Sequence, residues 1–109
     1  MAITLPPTIA SFIAASNIRD LDAAVACFAA DAVVEDEGET HRGLGEVRAW
    51  KQATEDRFRY AIDPTGIDER EGRAIVSATL TGNFPGSPVE LEYEFTLADD
   101  VIESLRIHP

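Results

Sequence analysis

One cysteine, Cys27, stands in the 109 residues. No internal disulfide can form, and a reducing, cytoplasmic setting is expected. Positive charge is scarce, with nine Lys and Arg against 20 Asp and Glu and a net charge of -11. Binding a phosphate backbone needs clustered cations, so neither nucleic acid nor an anionic membrane surface is an expected partner. No apolar run approaches the ~20 residues of a membrane span. The stretch Met1 to Ala15 has no basic residue and carries Pro6 and Pro7, so it reads as mature N-terminus and not as a signal peptide. Histidine is limited to His41 and His108, without ligand-like spacing, and no metal site is expected. Gly43 and Gly45 lack the spacing of a dinucleotide or phosphate loop. No cofactor is expected, and no repeat or linker divides the chain, which reads as one domain over residues 1–109.

What is present is a clear pattern. Hydrophobic residues make up 45% and charged residues 27%, as in ordinary globular chains. Pro7 to Ser16 has helical spacing at Ile9, Phe12 and Ile13. Asp20 is a good N-cap for a second helix whose stripe is Leu21, Ala24, Val25 and Phe28, with Asp31 as a stop. Ala32 to Asp36 reads as a first strand and Glu37 to Gly45 as loop. A third helix is expected from about Glu46 to Arg59. It carries Val47, Trp50 and Phe58 near one face and the pairs Lys51–Glu55 and Glu55–Arg59 on another. Tyr60 to Glu69 reads as a strand broken at Pro64 and Gly66. Arg73 to Phe84 alternates, and so does Val89 to Leu97, with Val89, Leu91, Tyr93, Phe95 and Leu97 on one side. Asp99-Asp100 marks a turn before a last strand, Val101 to His108. Helices followed by a strand meander predict an α+β domain whose sheet covers its apolar face with the helices. If the sheet curls around them, a closed-ended cavity results.

The run from Asp20 to Asp36 resembles the nuclear transport factor 2-like superfamily, in particular its SnoaL-like and ketosteroid isomerase-like members. Their pattern G-D-L-D…L-F-A-x-D-A-V-x-x-D is matched here at Asp20, Leu21, Asp22, Phe28, Ala29, Asp31, Ala32 and Val33. Arg19 replaces the glycine, and Cys27 precedes Phe28. His41-Arg42-Gly43 is similar to the family's H-x-G or R-x-G step. The resemblance implies a cone-shaped, cystatin-like curved sheet wrapped around a long helix. It also implies a small-molecule pocket at the open end and homodimers formed through the outer sheet face. The motif is specific for fold and poorly specific for activity.

Asp36 shares a strand face with Ala32 and Val34. If that face is concave, the carboxylate enters an apolar cavity, where desolvation would make it a proton shuttle. The resemblance places the isomerases' proton-transferring aspartate at Asp36. The alternative is that Asp36 is only the first polar residue at the strand exit. The isomerases' oxyanion tyrosine falls at Phe12, which has no hydroxyl, and their second acid falls near Tyr93. Tyr93 is either a donor to a developing enolate or ordinary core. His41 is either a relay partner of Asp36 or a loop anchor. Phe12, Trp50, Phe58, Tyr60 and Phe95 either line a hydrophobic ligand site or fill the core. Cys27 reads as a small hydrophobe, and His108 as a solvated end residue. Glu90, Glu92 and Glu94 form an acidic row that is solvated or paired with Arg73 or Arg106. The leading expectation is a pocket for an apolar carbonyl ligand, with isomerase- or cyclase-like proton transfer. The other is a non-catalytic ligand-binding or protein-interaction dimer.

Overall fold

In the computed structural model, which describes residues 3–109, the helices precede the strand meander. Met1 and Ala2, the start of the stretch read as mature N-terminus, lie outside the described residues. Helix α1 spans Pro7–Asn17, with proline in its first turn, where a missing N–H removes no helical bond. Ile9, Phe12 and Ile13 form its buried face. The helix closes in a Schellman motif, in which Asp20 N–H donates to Ala15 O and Arg19 N–H to Ser16 O. Asp20 then caps helix α2, Leu21–Val25, by accepting from the Ala23 N–H at 3.1 Å.

The second helix is shorter than its sequence predicts. It ends at Val25, and strand β1 runs Phe28–Asp36. The Cys27 carbonyl accepts from Ile102 N–H at 2.8 Å, and Phe28 pairs beside Ile102. The Phe28 ring meets Phe12 edge-on at 5.5 Å. Helix propensity differs by only tenths of a kcal/mol between such residues, while burying one Phe contributes about 1.5–3 kcal/mol. Tertiary packing therefore decides the conformation of Phe28 to Asp31. The expected loop Glu37 to Gly45 also holds structure. Glu37 and Gly38 both take positive φ, 53° and 78°, the signature of a two-residue hairpin turn. Strand β2, Glu39–Arg42, returns along β1, and helix α3 begins at Gly43 and ends at Arg57.

Strands β3 (Tyr60–Arg70), β4 (Arg73–Gly82), β5 (Val89–Ala98) and β6 (Val101–His108) complete a six-stranded mixed sheet. Its order is β2-β1-β6-β5-β4-β3, with only β1 and β6 parallel. Asp99 and Asp100 both have positive φ and turn β5 into β6, as their dipeptide predicts. Pro64 and Gly66 shift the register of β3 but do not break it. β3 is an edge strand, where proline deprives no neighbour of a hydrogen bond. The Asn17 side chain closes this edge, donating to Ile62 O at 2.9 Å and accepting from Ile62 N–H at 2.7 Å. Further shifts fall between Phe28 and Val33 and between Thr96 and Leu97. Such irregularities bend a sheet. Ala32, Val34, Val76, Ala78, Phe95 and Leu105 are buried in one core with α1 and α3. The α+β expectation, with N-terminal helices packed on a curved mixed sheet, holds.

Candidate functional site

Between the helices and the sheet lies a cavity of about 560 Å³. Its walls come from α1 (Phe12), the end of β1 (Asp36), α3 (Trp50, Lys51, Thr54) and the strands (Tyr60, Ile62, Tyr93, Ile107). Phe58 and Phe84 meet edge-on at 5.9 Å in the wall. The lining is mainly aromatic and aliphatic, so a few polar groups stand out.

Asp36 is the first of them. The alternation of β1 buries Ala32 and Val34 and carries Asp36 to the same face, into the cavity wall. Its Oδ2 accepts from Trp50 Nε1 at 3.0 Å. Its Oδ1 makes no hydrogen bond to another described residue. Tyr93 is 4% exposed and stacks on Phe95 at 6.2 Å. Burial, then the nearby Tyr60 and Asp36, push its phenol far above the usual tyrosine range. Tyr60 is pushed up to about 12 by burial, then by Glu55 and Asp36. Both phenols therefore stay protonated donors near neutrality.

Of the expected site residues, Phe12, Asp36, Trp50, Phe58, Tyr60 and Tyr93 meet at this cavity. Phe95 does not line it. It sits behind, 1% exposed and edge-on to Phe12 at 5.9 Å. Of the two alternatives for His41, the relay contact with Asp36 is not formed. His41 lies opposite Val34 on β2, while Glu39 lies opposite Asp36. The His41 ring is 6.3 Å from Trp50, and its Nε2 is 4.0 Å from Glu39. His41 thus supports the wall from outside the lining.

Three further readings need correction. Lys51 and Glu55 do not form an exposed pair, since they are 2% and 6% exposed. Lys51 lines the cavity, donating to Tyr60 Oη at 3.0 Å, with its Nζ 5.4–5.9 Å from the ring centres of Phe12, Trp50 and Tyr60. Burial lowers its amine to about 8, opposed by Glu55 and Asp36 and aided by Arg19. Glu55 Oε2 is buried without a partner, and Arg59 lies beyond the helix end. His108 is more than a solvated end residue. It belongs to β6, lines the cavity and pairs with Glu94, which also meets Arg73 at 3.4 Å. Cys27 is half-buried at the core edge, its thiol directed to Ala23 O at 3.5 Å and pushed up by burial. The signal for Lys51 was its spacing. Residues 47, 50, 51, 54, 55 and 58 trace one helical face, and Lys51 sits in the middle of it. Among the described residues, no group of three or more His, Cys, Asp or Glu stands together to hold a metal.

The SnoaL-like domain family matches residues 9–104. The chain belongs to that family. Among solved structures, this SnoaL-like domain is similar to a proposed polyketide cyclase from Sinorhizobium meliloti. The two share 38% identity at a TM-score of 0.92, with 95% of each chain covered. A Catenulispora acidiphila protein with a ketosteroid isomerase-like fold, solved with trimethylamine, shares 20% identity at a TM-score of 0.85 over 97% of this chain and 87% of that one. An NTF2-like protein of unknown function from Cytophaga hutchinsonii shares 15% identity at a TM-score of 0.79 over 99% and 91%. The last two establish fold alone. No curated protein matches the chain.

The fold also explains the glycine of the SnoaL-like pattern. Its position here is Arg19, at φ 60°, the left-handed region that glycine enters most easily. This SnoaL-like domain uses the arginine side chain instead, donating to Phe58 O at 3.1 Å and Glu55 O at 2.6 Å at the end of α3.

Proposed function

We propose that this SnoaL-like domain binds an apolar, ring-containing carbonyl compound and moves a proton within it, as an isomerase or polyketide cyclase would. The supporting observation is Asp36, a carboxylate in the wall of a mainly apolar cavity, held through one oxygen by Trp50. Its free Oδ1 takes the proton from the carbon beside the ligand carbonyl. As that C–H bond breaks, negative charge grows on the carbonyl oxygen. Tyr60 and Tyr93 face the same cavity with protonated hydroxyls and stabilise that charge as donors. Trp50 is the positioning residue for Asp36, and His41 acts through Trp50. Likeness to the proposed polyketide cyclase supports a carbonyl ligand. The trimethylamine in the Catenulispora protein supports a small-molecule occupant.

The test is exchange of the acidic C–H of 2-tetralone in deuterated buffer, followed by NMR. Asp36→Asn is expected to lower the enzymic exchange rate about 100-fold or more, the usual scale for a lost general base, with binding retained. Undiminished exchange in the variant overturns the proposal. Phe12, at the position of the isomerases' tyrosine, favours a second reading in which the domain binds its ligand without turnover. Tight binding with no wild-type exchange would select it. Under either reading we infer a homodimer through the outer sheet face, where Arg73 and Glu94 lie. A monomeric mass by light scattering at high concentration would remove that inference.

A further inference from the structure

Lys51 is the chain's only lysine, every other cationic side chain being arginine. Seven of those arginines are exposed and Arg19 is half-buried. The single lysine is 2% exposed and lines the ligand-sized cavity. Lysine is almost never buried without an acidic partner. Among the described residues Lys51 makes no ion pair, and its hydrogen bond is to a phenol. Three aromatic rings surround its Nζ. A surface built from arginine and a pocket built around one primary amine divide two chemistries. Guanidinium stays charged, whereas an amine can lose its proton and become a nucleophile.

We propose that Lys51 is an imine-forming amine, whose Nζ condenses with the aldehyde or ketone carbonyl of a ligand seated in the cavity. This rests on the carbonyl ligand of the reading above and adds a covalent bond to it. The Nζ lone pair forms a bond to the carbonyl carbon, and the C=O π pair moves to oxygen. Nitrogen then loses a proton and oxygen gains one, giving a carbinolamine. A second proton on that oxygen lets it leave as water while the nitrogen lone pair forms the C=N bond. One amine, one carbonyl and one proton become one iminium and one water, with no change of oxidation state. Tyr60, 3.0 Å from Nζ, carries a hydroxyl that relays protons in these steps. Asp36 is the second proton carrier in the same cavity. The lowered amine makes the reaction accessible. With its midpoint at about 8, about one Lys51 in ten is neutral at pH 7, against about one in three thousand for an ordinary lysine.

The experiment uses the whole chain at pH 7.5 with 2-naphthaldehyde and sodium cyanoborohydride, which reduces an iminium to a stable secondary amine. Peptide mass mapping is expected to place one adduct on Lys51, formed at least tenfold faster than at the N-terminal amine. Unfolding in urea should slow labelling of Lys51 at least tenfold. Tyr60→Phe should slow it in the folded protein while leaving the lysine in place. Equal labelling of folded and unfolded chain, or an adduct at the N-terminus alone, overturns the proposal. Its failure and that of the proton-transfer reading are separable. Loss of exchange in Asp36→Asn with no trapping at Lys51 removes the imine and leaves proton transfer standing. Trapping at Lys51 with exchange untouched by Asp36→Asn does the reverse.

Discussion

Replacing Lys51 with methionine keeps an unbranched side chain of similar length and removes the buried charge. Ionised Lys51 opposes folding because its folded midpoint, about 8, lies below the ordinary value of 10.5. For a base with a lowered folded value, the unfolded chain binds more protons between those two limits, so stability rises with pH across that window. The wild type should therefore gain on the Lys51→Met variant as pH rises from 7 to 10. Each tenfold change in proton affinity is about 1.4 kcal/mol, so the gain is about 2–3 kcal/mol, or roughly 10 °C in Tm for a domain of this size. Lys51 is 2% exposed, so solvent screening does not erode the figure. Above pH 10 the phenols of Tyr60 and Tyr93, both raised by burial, remove stability as they ionise in the unfolded chain, which sets the upper limit. Glu55, Arg19 and Asp36 act on Lys51 in both directions and are unchanged in the variant. The assay is urea unfolding at several pH values, with stabilities taken by linear extrapolation. A difference between the two proteins that stays flat from pH 7 to 10 would refute the burial of the charge, and with it the enrichment in neutral amine.

Other expectations follow from single contacts. A Cβ on Gly82 would lie 2.2 Å from Arg59 O and 2.9 Å from Tyr60 Cα, so Gly82→Ala should lose about 2 kcal/mol in urea unfolding; a loss within error would mean that β3 and β4 separate freely there. Arg19→Ala and Arg19→Gly both remove the donors to Glu55 and Phe58, but only glycine relieves the positive φ. The glycine variant should be the more stable of the two by about 1 kcal/mol, and the opposite order would remove the strain argument. The His108 imidazole is raised above its usual value, first by its hydrogen bond to Glu94 and then by Pro109 O. Its contribution to stability is full below about 6.5 and fades as pH rises through the raised value. NMR titration should place His108 above 6.5 in the wild type and nearer that value in Glu94→Gln; identical curves would show that the pair is absent in solution.

The legible parts of the chain were those with a strong local period. The alternation of β4 and β5, the Asp99-Asp100 turn and the proline start of α1 all survive folding because local preference and tertiary packing agree. Phe28 to Asp31 did not, since alanine-rich sequence is compatible with helix and only the distant Ile102 makes it strand. β2 was hidden because Glu39–Arg42 has no apolar alternation, and the positive φ of Glu37 and Gly38 that makes the hairpin shows only in the folded chain. Asp36 was readable from β1 periodicity. Lys51 was not, because i,i+4 spacing with Glu55 describes a surface pair as well as a buried one. What decides between them is how the helix is rotated against the sheet, which Trp50 and Val47 determine by burial.

The parallel pairing of β1 with β6 bears on how the domain assembles. Phe28 sits beside Ile102, and Val34 beside Leu105, contacts separated by most of the chain. Closing so long a loop is slow compared with forming local hairpins. The meander from β3 to β6 can pair in sequence, whereas the helical half with its β1–β2 hairpin waits for the final strand. During synthesis β1 therefore leaves the ribosome with one edge unpaired until β6 follows, a period when helper proteins that shield strand edges would matter. The cavity inherits that order of events. Its walls come from both halves, so it exists only once β1 has paired with β6, and a ligand can speed or select nothing before that step.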